Sequence, residues 1–169
     1  PEIGLTPQLL SRFQRRLSAH IAVLHSGLSD GERLNAWLAA RAGKADVLIG
    51  TRSAIFAPLA KPGLIIVDEE HDASLKQQDG FRYSARDLAI LRAHRLDIPI
   101  VLGSATPSLE TIANARDQRY QHHQLSERAG GAKAPLMQLL DMRGQPTHEG
   151  LSAPLIERVK SHLDAEGQV

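Results

Sequence analysis

Short apolar runs alternate with amphipathic stretches along this chain, the pattern that strands and helices leave when they follow one another. The run at 64–72, Leu-Ile-Ile-Val-Asp-Glu-Glu-His-Asp, is the centre of that pattern. Its aliphatic residues lead unbroken into ionisable ones and are preceded by Pro62 and Gly63. A short apolar run bounded this way predicts a strand buried on both faces, as in the middle of a parallel sheet. Further strands are predicted at 21–24, 46–50 and 99–102.

Helical spacing appears between these runs. Leu9, Leu10, Phe13 and Leu17 form one stripe, with Arg12, Arg15 and Arg16 opposite. Thr6 and Pro7 open that helix as cap and first helical residue. Ser29 and Glu32 form a capping box for a second helix, which carries Leu34, Trp37 and Leu38 inward and closes at Gly43. Ser84 caps a third helix with Leu88, Ile90 and Leu91. Thr106-Pro107 repeats the Thr-Pro start for a fourth, with Leu109, Ile112 and Ala113 facing inward. The polar stretch 74–83 lacks periodicity and reads as a loop. Strands are expected at 120–125 and 136–140, a Gly- and Ala-rich linker at 127–135, and a last helix at 152–163 bearing Leu155, Ile156, Val159 and Leu163. Strands alternating with helices imply an α/β domain with a mostly parallel sheet covered on both faces.

Composition narrows the class only a little. The chain has 169 residues, 42% hydrophobic and 23% charged, which suits an ordinary globular domain with a core. Net charge is +1, so any nucleic-acid surface must be local. There is no cysteine, which excludes disulfides and thiolate zinc sites within these residues. No apolar run approaches the ~20 residues of a membrane span, and no signal peptide is visible. Beginning at Pro1 and ending at Val169, the chain reads as a segment cut from a longer protein.

The chemistry gathers at predicted strand ends. Thr51-Arg52-Ser53, Asp68-Glu69-Glu70-His71 and Ser104-Ala105-Thr106 each follow an apolar run, and parallel sheets line such ends along one edge. Two adjacent carboxylates on an extended backbone point opposite ways and so suit different tasks. A Mg²⁺–triphosphate site offers two: one acid for the hydrated metal, the next for the attacking water. A solvated acidic turn is the plainer reading of the same residues. Gly43-Lys44 does not make a phosphate-gripping loop, because Leu38 stands where a glycine is needed and Ala45 where Ser or Thr is needed. His71-Asp72 lacks the further ligands of a metal phosphohydrolase, and His122-His123 suit a surface strand.

These residues resemble a known family. The opening Pro-Glu-Ile-Gly-Leu-Thr-Pro-Gln at 1–8, Gly-Thr-Arg-Ser-Ala-Ile-Phe-Ala-Pro-Leu at 50–59, the Asp-Glu-Glu-His box at 68–71 and Gly-Ser-Ala-Thr-Pro-Ser at 103–108 resemble motifs Ia, Ib, II and III of the bacterial primosomal helicases, in helicase superfamily 2. The stretch 76–87 resembles that family's aromatic-rich loop, although Leu75 stands where relatives often carry Tyr. The similarity runs through essentially the whole chain.

The resemblance implies a RecA-like P-loop NTPase lobe at 1–126, truncated at its N-terminus so that its Walker A segment is missing, then the linker at 127–135 and the start of a second lobe at 136–169. It implies a 3′→5′ DNA helicase of replication restart and primosome assembly, using ATP and Mg²⁺. The alternative is a helicase-like module that binds nucleic acid without its own ATPase activity. Asp68 would hold the hydrated metal, Glu69 would activate water, and His71 would link the nucleotide site to Ser104 and Thr106. Thr6, Thr51 and Arg52 would contact single-stranded DNA phosphates, and Phe81 and Tyr83 would stack bases beside Arg82. Zinc is expected in the parent protein, with no ligands for it in this chain. Forked DNA, replication-restart proteins and single-stranded DNA-binding protein are the implied partners, in the bacterial cytoplasm and without a membrane. Because half the nucleotide site is missing, the fragment alone is expected to be inactive.

Overall fold

The computed structural model describes residues 7–127, 137, 139–144 and 146–167. Contacts divide the chain into two compact units, 1–122 and 123–169. Thr6, most of the predicted linker and Leu136 fall outside the described residues.

The first unit is α/β. Helix α1 spans Pro7–Arg16 and leads to strand β1, Ile21–Leu24. Helix α2, Asp30–Arg41, carries the chain over to strand β2, Val47–Gly50, which pairs with β1 in parallel from Ile21↔Val47 to Leu24↔Gly50. The capping box is present: the Glu32 N–H donates to Ser29 Oγ, and Glu32 Oε2 accepts the Ser29 N–H at 2.9 Å. Gly43 takes the left-handed backbone that ends α2, with φ of +69°. Strand β3, Ile65–Val67, leads to a short hairpin, β4 at Lys76–Gln77 and β5 at Tyr83–Ser84. Helix α3, Ala85–Leu96, then returns the chain to strand β6, Ile100–Leu102, which pairs with β3 in parallel from Ile65↔Ile100 to Val67↔Leu102. Helix α4, Leu109–Arg116, follows β6. Each parallel pair is thus closed by one crossover helix, the connection that parallel strands require.

Several expectations are corrected. The described strands form separate two-stranded pairs instead of one broad sheet. The central strand is not buried on both faces: Ile66 is 65% exposed, and its register partner Val101 is exposed beside it. One face of that pair meets α3, while Ile66 and Val101 stand exposed on the other. Helix α3 buries Ala85, Ala89 and Ala93, one residue per turn, instead of its leucines, and Leu91 is exposed. Small side chains at that spacing let a helix sit close to a sheet. Leu34 and Leu38 of α2 are likewise exposed, while Ala40 is fully buried. On α4 Leu109 is 82% exposed and Ala113 is exposed, so only Ile112 of the predicted stripe is half-buried. That helix starts two residues later than Thr106-Pro107 predicts, because Ser108 is its cap and accepts the Thr111 N–H. No strand forms at 120–125, nor at the described residues of 136–140. The predicted loop at 74–83 contains the β4–β5 hairpin, whose two-residue strands are too short to show periodicity.

In the second unit, strands β7 (Thr147–His148) and β8 (Leu151–Ser152) form a hairpin. Glu149 and Gly150 both have positive φ, as a two-residue hairpin turn requires. Ser152 caps helix α5, Ala153–Asp164, close to the predicted range. Ile156 and Val159 are half-buried there, while Leu155 and Leu163 are exposed. No helix among the described residues is long and apolar enough to cross a membrane.

Gly50 sits where β2 turns toward Arg52, and a Cβ there would collide with the Leu24 carbonyl oxygen and with Ala54 Cβ. We expect Gly50→Ala to destabilise the protein by about 1–3 kcal/mol through overpacking. Gly31→Ala, in open space on α2, should instead stabilise by about 0.5–1 kcal/mol. Urea unfolding of both variants checks the pair, and equal midpoints would contradict the close approach at Gly50.

Candidate functional site

The predicted acids lie where two strands end side by side. The Gly103 N–H donates to the Val67 carbonyl at 2.8 Å, and the Glu70 N–H donates to the Gly103 carbonyl at 3.0 Å. The turns that follow β3 and β6 are therefore laced together by main-chain bonds. A Cβ on Gly103 would lie 3.4 Å from Asp68 Oδ1, so the bare backbone leaves room for that carboxylate.

The Asp68-Glu69-Glu70-His71 segment folds into a tight turn. Asp68 Oδ1 accepts the Glu69 N–H at 3.0 Å, and the Glu69 carbonyl accepts the Asp72 N–H at 2.9 Å. Glu69 has φ of +49°, in the left-handed region. That conformation costs a non-glycine residue roughly 1–2 kcal/mol and persists only where surrounding bonds enforce it. Glu69 is therefore not on extended backbone, so the expected opposition of two acids along one strand does not hold there. Asp68 and Glu69 both remain exposed to solvent.

His71 lies between three other side chains. Its Nδ1 is 2.6 Å from Ser104 Oγ and 3.6 Å from Glu69 Oε2, and its Nε2 is 3.3 Å from Thr106 Oγ1. Ser104 Oγ also accepts the Thr106 N–H at 3.0 Å, which curls the loop around the ring. A neutral imidazole can serve both hydroxyls, one nitrogen accepting and the other donating. The structure thus brings together Asp68, Glu69, His71, Ser104 and Thr106.

Glu70 turns the other way and is 2% exposed. Its Oε1 accepts the Ser108 N–H at 2.7 Å. Its Oε2 accepts from Thr111 Oγ1 at 2.9 Å, Ser108 Oγ at 3.1 Å and Arg86 Nη1 at 3.2 Å. Arg86 also donates to Ser108 Oγ at 2.9 Å and pairs with Asp87 at 3.0 Å. Burial pushes the Glu70 carboxyl upward, but the bonds from Ser108, Thr111 and Arg86 outweigh it and hold the group below its ordinary value. Sequence reasoning passed over Glu70, Arg86, Ser108 and Thr111 as partners. The available signal was a third acid directly after a functional pair, with an arginine one position inside the next helix.

The predicted DNA-facing residues are placed differently. Thr51 and Arg52 follow β2, and no hydrogen bond among the described residues joins Thr51 to the Asp68–Ser104 cluster. The Thr51 N–H donates to the Leu24 carbonyl at 3.0 Å. Arg52 donates through Nη1 to the carbonyls of Ser74 and Lys76, at 2.9 and 3.1 Å, and so anchors the start of the β4–β5 hairpin. Phe81 is 77% exposed and Arg82 is exposed. Tyr83 is half-buried, edge-on to Phe56 with ring centroids 4.9 Å apart, and its ring lies 6.0 Å from that of Phe81. Thr6 lies outside the described residues.

The described residues contain no group of three or more acids or histidines that could hold a metal alone. A single exposed carboxylate at a strand end suits a Mg²⁺ ion whose remaining ligands are water and phosphate oxygens. Asp68 is such a group.

Residues 1–115 match the DEAD/DEAH box helicase family. The chain is 52% identical over its whole length to the replication restart protein PriA of Haemophilus influenzae, covering 23% of that protein. It is 46% identical over 143 residues to the PriA of Bacillus subtilis and 48% identical over 150 residues to that of Synechocystis, covering 85% and 86% of this chain and 18% of each relative. The chain therefore spans roughly a fifth of the length of the curated relatives it matches, and the resemblance to primosomal helicases is borne out.

The depressed Glu70 carboxyl makes stability depend on pH. Its contribution is fully present above the usual glutamate value of about 4.3 and is lost as pH falls through the lower folded value. Wild type should exceed Glu70→Gln in urea midpoint at pH 7, and the gap should narrow below about pH 4. A gap that widens on acidification would reverse the assigned sign.

Proposed function

Because this chain belongs to the DEAD/DEAH box helicase family, we propose that it forms part of the motor of an ATP-dependent 3′→5′ DNA helicase of replication restart and primosome assembly. The observation that supports this most directly is His71. It spans from the turn carrying Asp68 and Glu69 to the hydroxyls of Ser104 and Thr106 at the end of the neighbouring strand. A solvated acidic turn needs no such second-strand partner.

Asp68 would hold the hydrated Mg²⁺ through water, and the metal would neutralise charge on the transferring phosphoryl group. Glu69, exposed and next in sequence, orients and polarises the attacking water. His71 Nδ1 faces both the Glu69 carboxylate and Ser104 Oγ, and its Nε2 faces Thr106 Oγ1, so a change at the acid reaches the loop that follows β6. Phosphate-gripping residues of the Gly-Lys-Thr type are not among these 169 residues, so turnover requires groups from elsewhere.

Single-stranded DNA is the substrate we assign to the Thr51 and β4–β5 side. Phe81 presents an open aromatic face, with Arg82 beside it. Aromatic faces accept any base, as a translocating motor requires. Tyr83 has part of its ring committed to Phe56 and serves mainly to support Phe81. Arg52 positions the hairpin through Ser74 and Lys76 while lying next to Thr51, which we assign to a DNA phosphate together with Thr6. Forked DNA, replication-restart proteins and single-stranded DNA-binding protein are the partners this reading implies.

In the full-length protein, Glu69→Gln should bind ATP and hydrolyse it at least about 100-fold more slowly. Near-normal turnover in that variant would remove Glu69 from the mechanism. Phe81→Ala should weaken single-stranded DNA binding by about 1–3 kcal/mol for each base unstacked, with little change in salt dependence. Fluorescence anisotropy across a salt series tests this, and unchanged affinity would return Phe81 to an unengaged surface residue.

A further inference from the structure

The bonds around Glu70 do more than satisfy a buried charge. Its main-chain N–H holds the Gly103 carbonyl, and its carboxylate holds the Ser108 N–H. One residue therefore grips both ends of the 103–108 loop. Ser104 and Thr106, the two hydroxyls around His71, lie between those grips.

The same carboxylate reaches α3 through Arg86. That helix begins directly after Tyr83 and Ser84, with Ser84 Oγ accepting the Asp87 N–H at 3.2 Å. Upstream, β5 pairs with β4, and Arg52 binds the carbonyls at the start of that pairing. Bonded contacts thus run from the residue after Thr51, through the aromatic hairpin and α3, to the turn that carries Glu69 and His71.

We infer that Glu70 is a positioning residue for ATP turnover: through Arg86, Ser108 and Thr111 it sets the 103–108 loop against His71 and connects that loop to the aromatic hairpin. The inference rests on the function proposed above. Glu70 itself touches no reacting atom, because its side chain is fully enclosed. Its effect is exerted on where Ser104 and Thr106 stand. Coupling between two sites is an energetic quantity, and the deciding measurement is energetic.

The experiment uses the full-length protein, ATP and a single-stranded oligonucleotide. Glu70→Gln, Arg86→Ala and their double variant are compared with wild type, and thermal melts check folding. We expect DNA-stimulated kcat to fall by about tenfold or more in each single variant, with KM for ATP within about twofold. The double variant should be no slower than the worse single, since the two residues act as a unit. Amide hydrogen exchange across 103–108 should be about tenfold faster in Glu70→Gln, a readout independent of activity.

A folded Glu70→Gln with wild-type kcat and unchanged exchange overturns the inference, as do multiplicative losses in the double variant. Should Glu70→Gln fail to fold, Ser108→Ala and Thr111→Ala each remove one donor. A fall of about threefold or more in kcat at constant KM then supports the inference, and full turnover in both overturns it. A wild-type protein without ATPase activity would instead overturn the function proposed above. Hydrolysis by wild type with an unaffected Glu70→Gln would overturn only the role of Glu70.

Discussion

A buried carboxylate that has exchanged water for four protein donors is the constraint on which the first unit depends. Removing Glu70 from solvent is expensive unless every lone pair finds a partner. The partners come from three places: a main-chain N–H and a hydroxyl at the cap of α4, a second hydroxyl one turn into α4, and a guanidinium at the start of α3. Meeting that demand ties the first turns of both helices to the turn after β3. It also ties down the turn after β3, where Glu69 adopts a left-handed backbone beside the inward-facing Glu70. Electrostatic satisfaction, more than apolar bulk, organises this end of the fold.

The apolar core agrees with that view. Its buried members are mostly alanines: Ala22, Ala40, Ala45, Ala57, Ala85, Ala89 and Ala93. Larger side chains such as Ile66, Val101 and Leu34 are exposed on open faces. Alanine contacts bring helices close to strands but bury little area each, so their contribution per residue is small. Polar ties of the Glu70 and Arg52 kind then carry more of the local definition than they would beneath a leucine-rich interface.

Much of this was legible in the residues, and the misses share a physical origin. The helix starts at Ser29 and Ser84 were readable because a cap is a local signal, set by one side chain and the N–H groups three residues on. The strands at 21–24, 46–50 and 99–102 were readable from their apolar runs. Burial was not. Periodicity says which residues share a face, but whether that face is covered depends on elements distant in sequence, as Leu109 and Ile66 demonstrate. The pairing of His71 with Ser104 and Thr106 was proposed from resemblance, and the geometry places those side chains together. Glu70 was missed because a charged residue beside two acids reads as another solvent-facing one. Only the three-dimensional convergence of α3 and α4 marks it as enclosed.

The left-handed backbone at Glu69 links two requirements that would otherwise be separate. One dihedral angle both presents the outer acid to solvent and rotates the inner acid into its enclosure. A β-branched side chain at 69 resists positive φ and would tend to unwind the turn, withdrawing the carboxylate at 70 from its donors even though position 70 itself was untouched. Asparagine or glycine accepts that backbone readily, so the turn could persist after the acid was lost. Which residues this position tolerates is therefore a joint record of backbone shape and acid chemistry, and substitutions there separate the two.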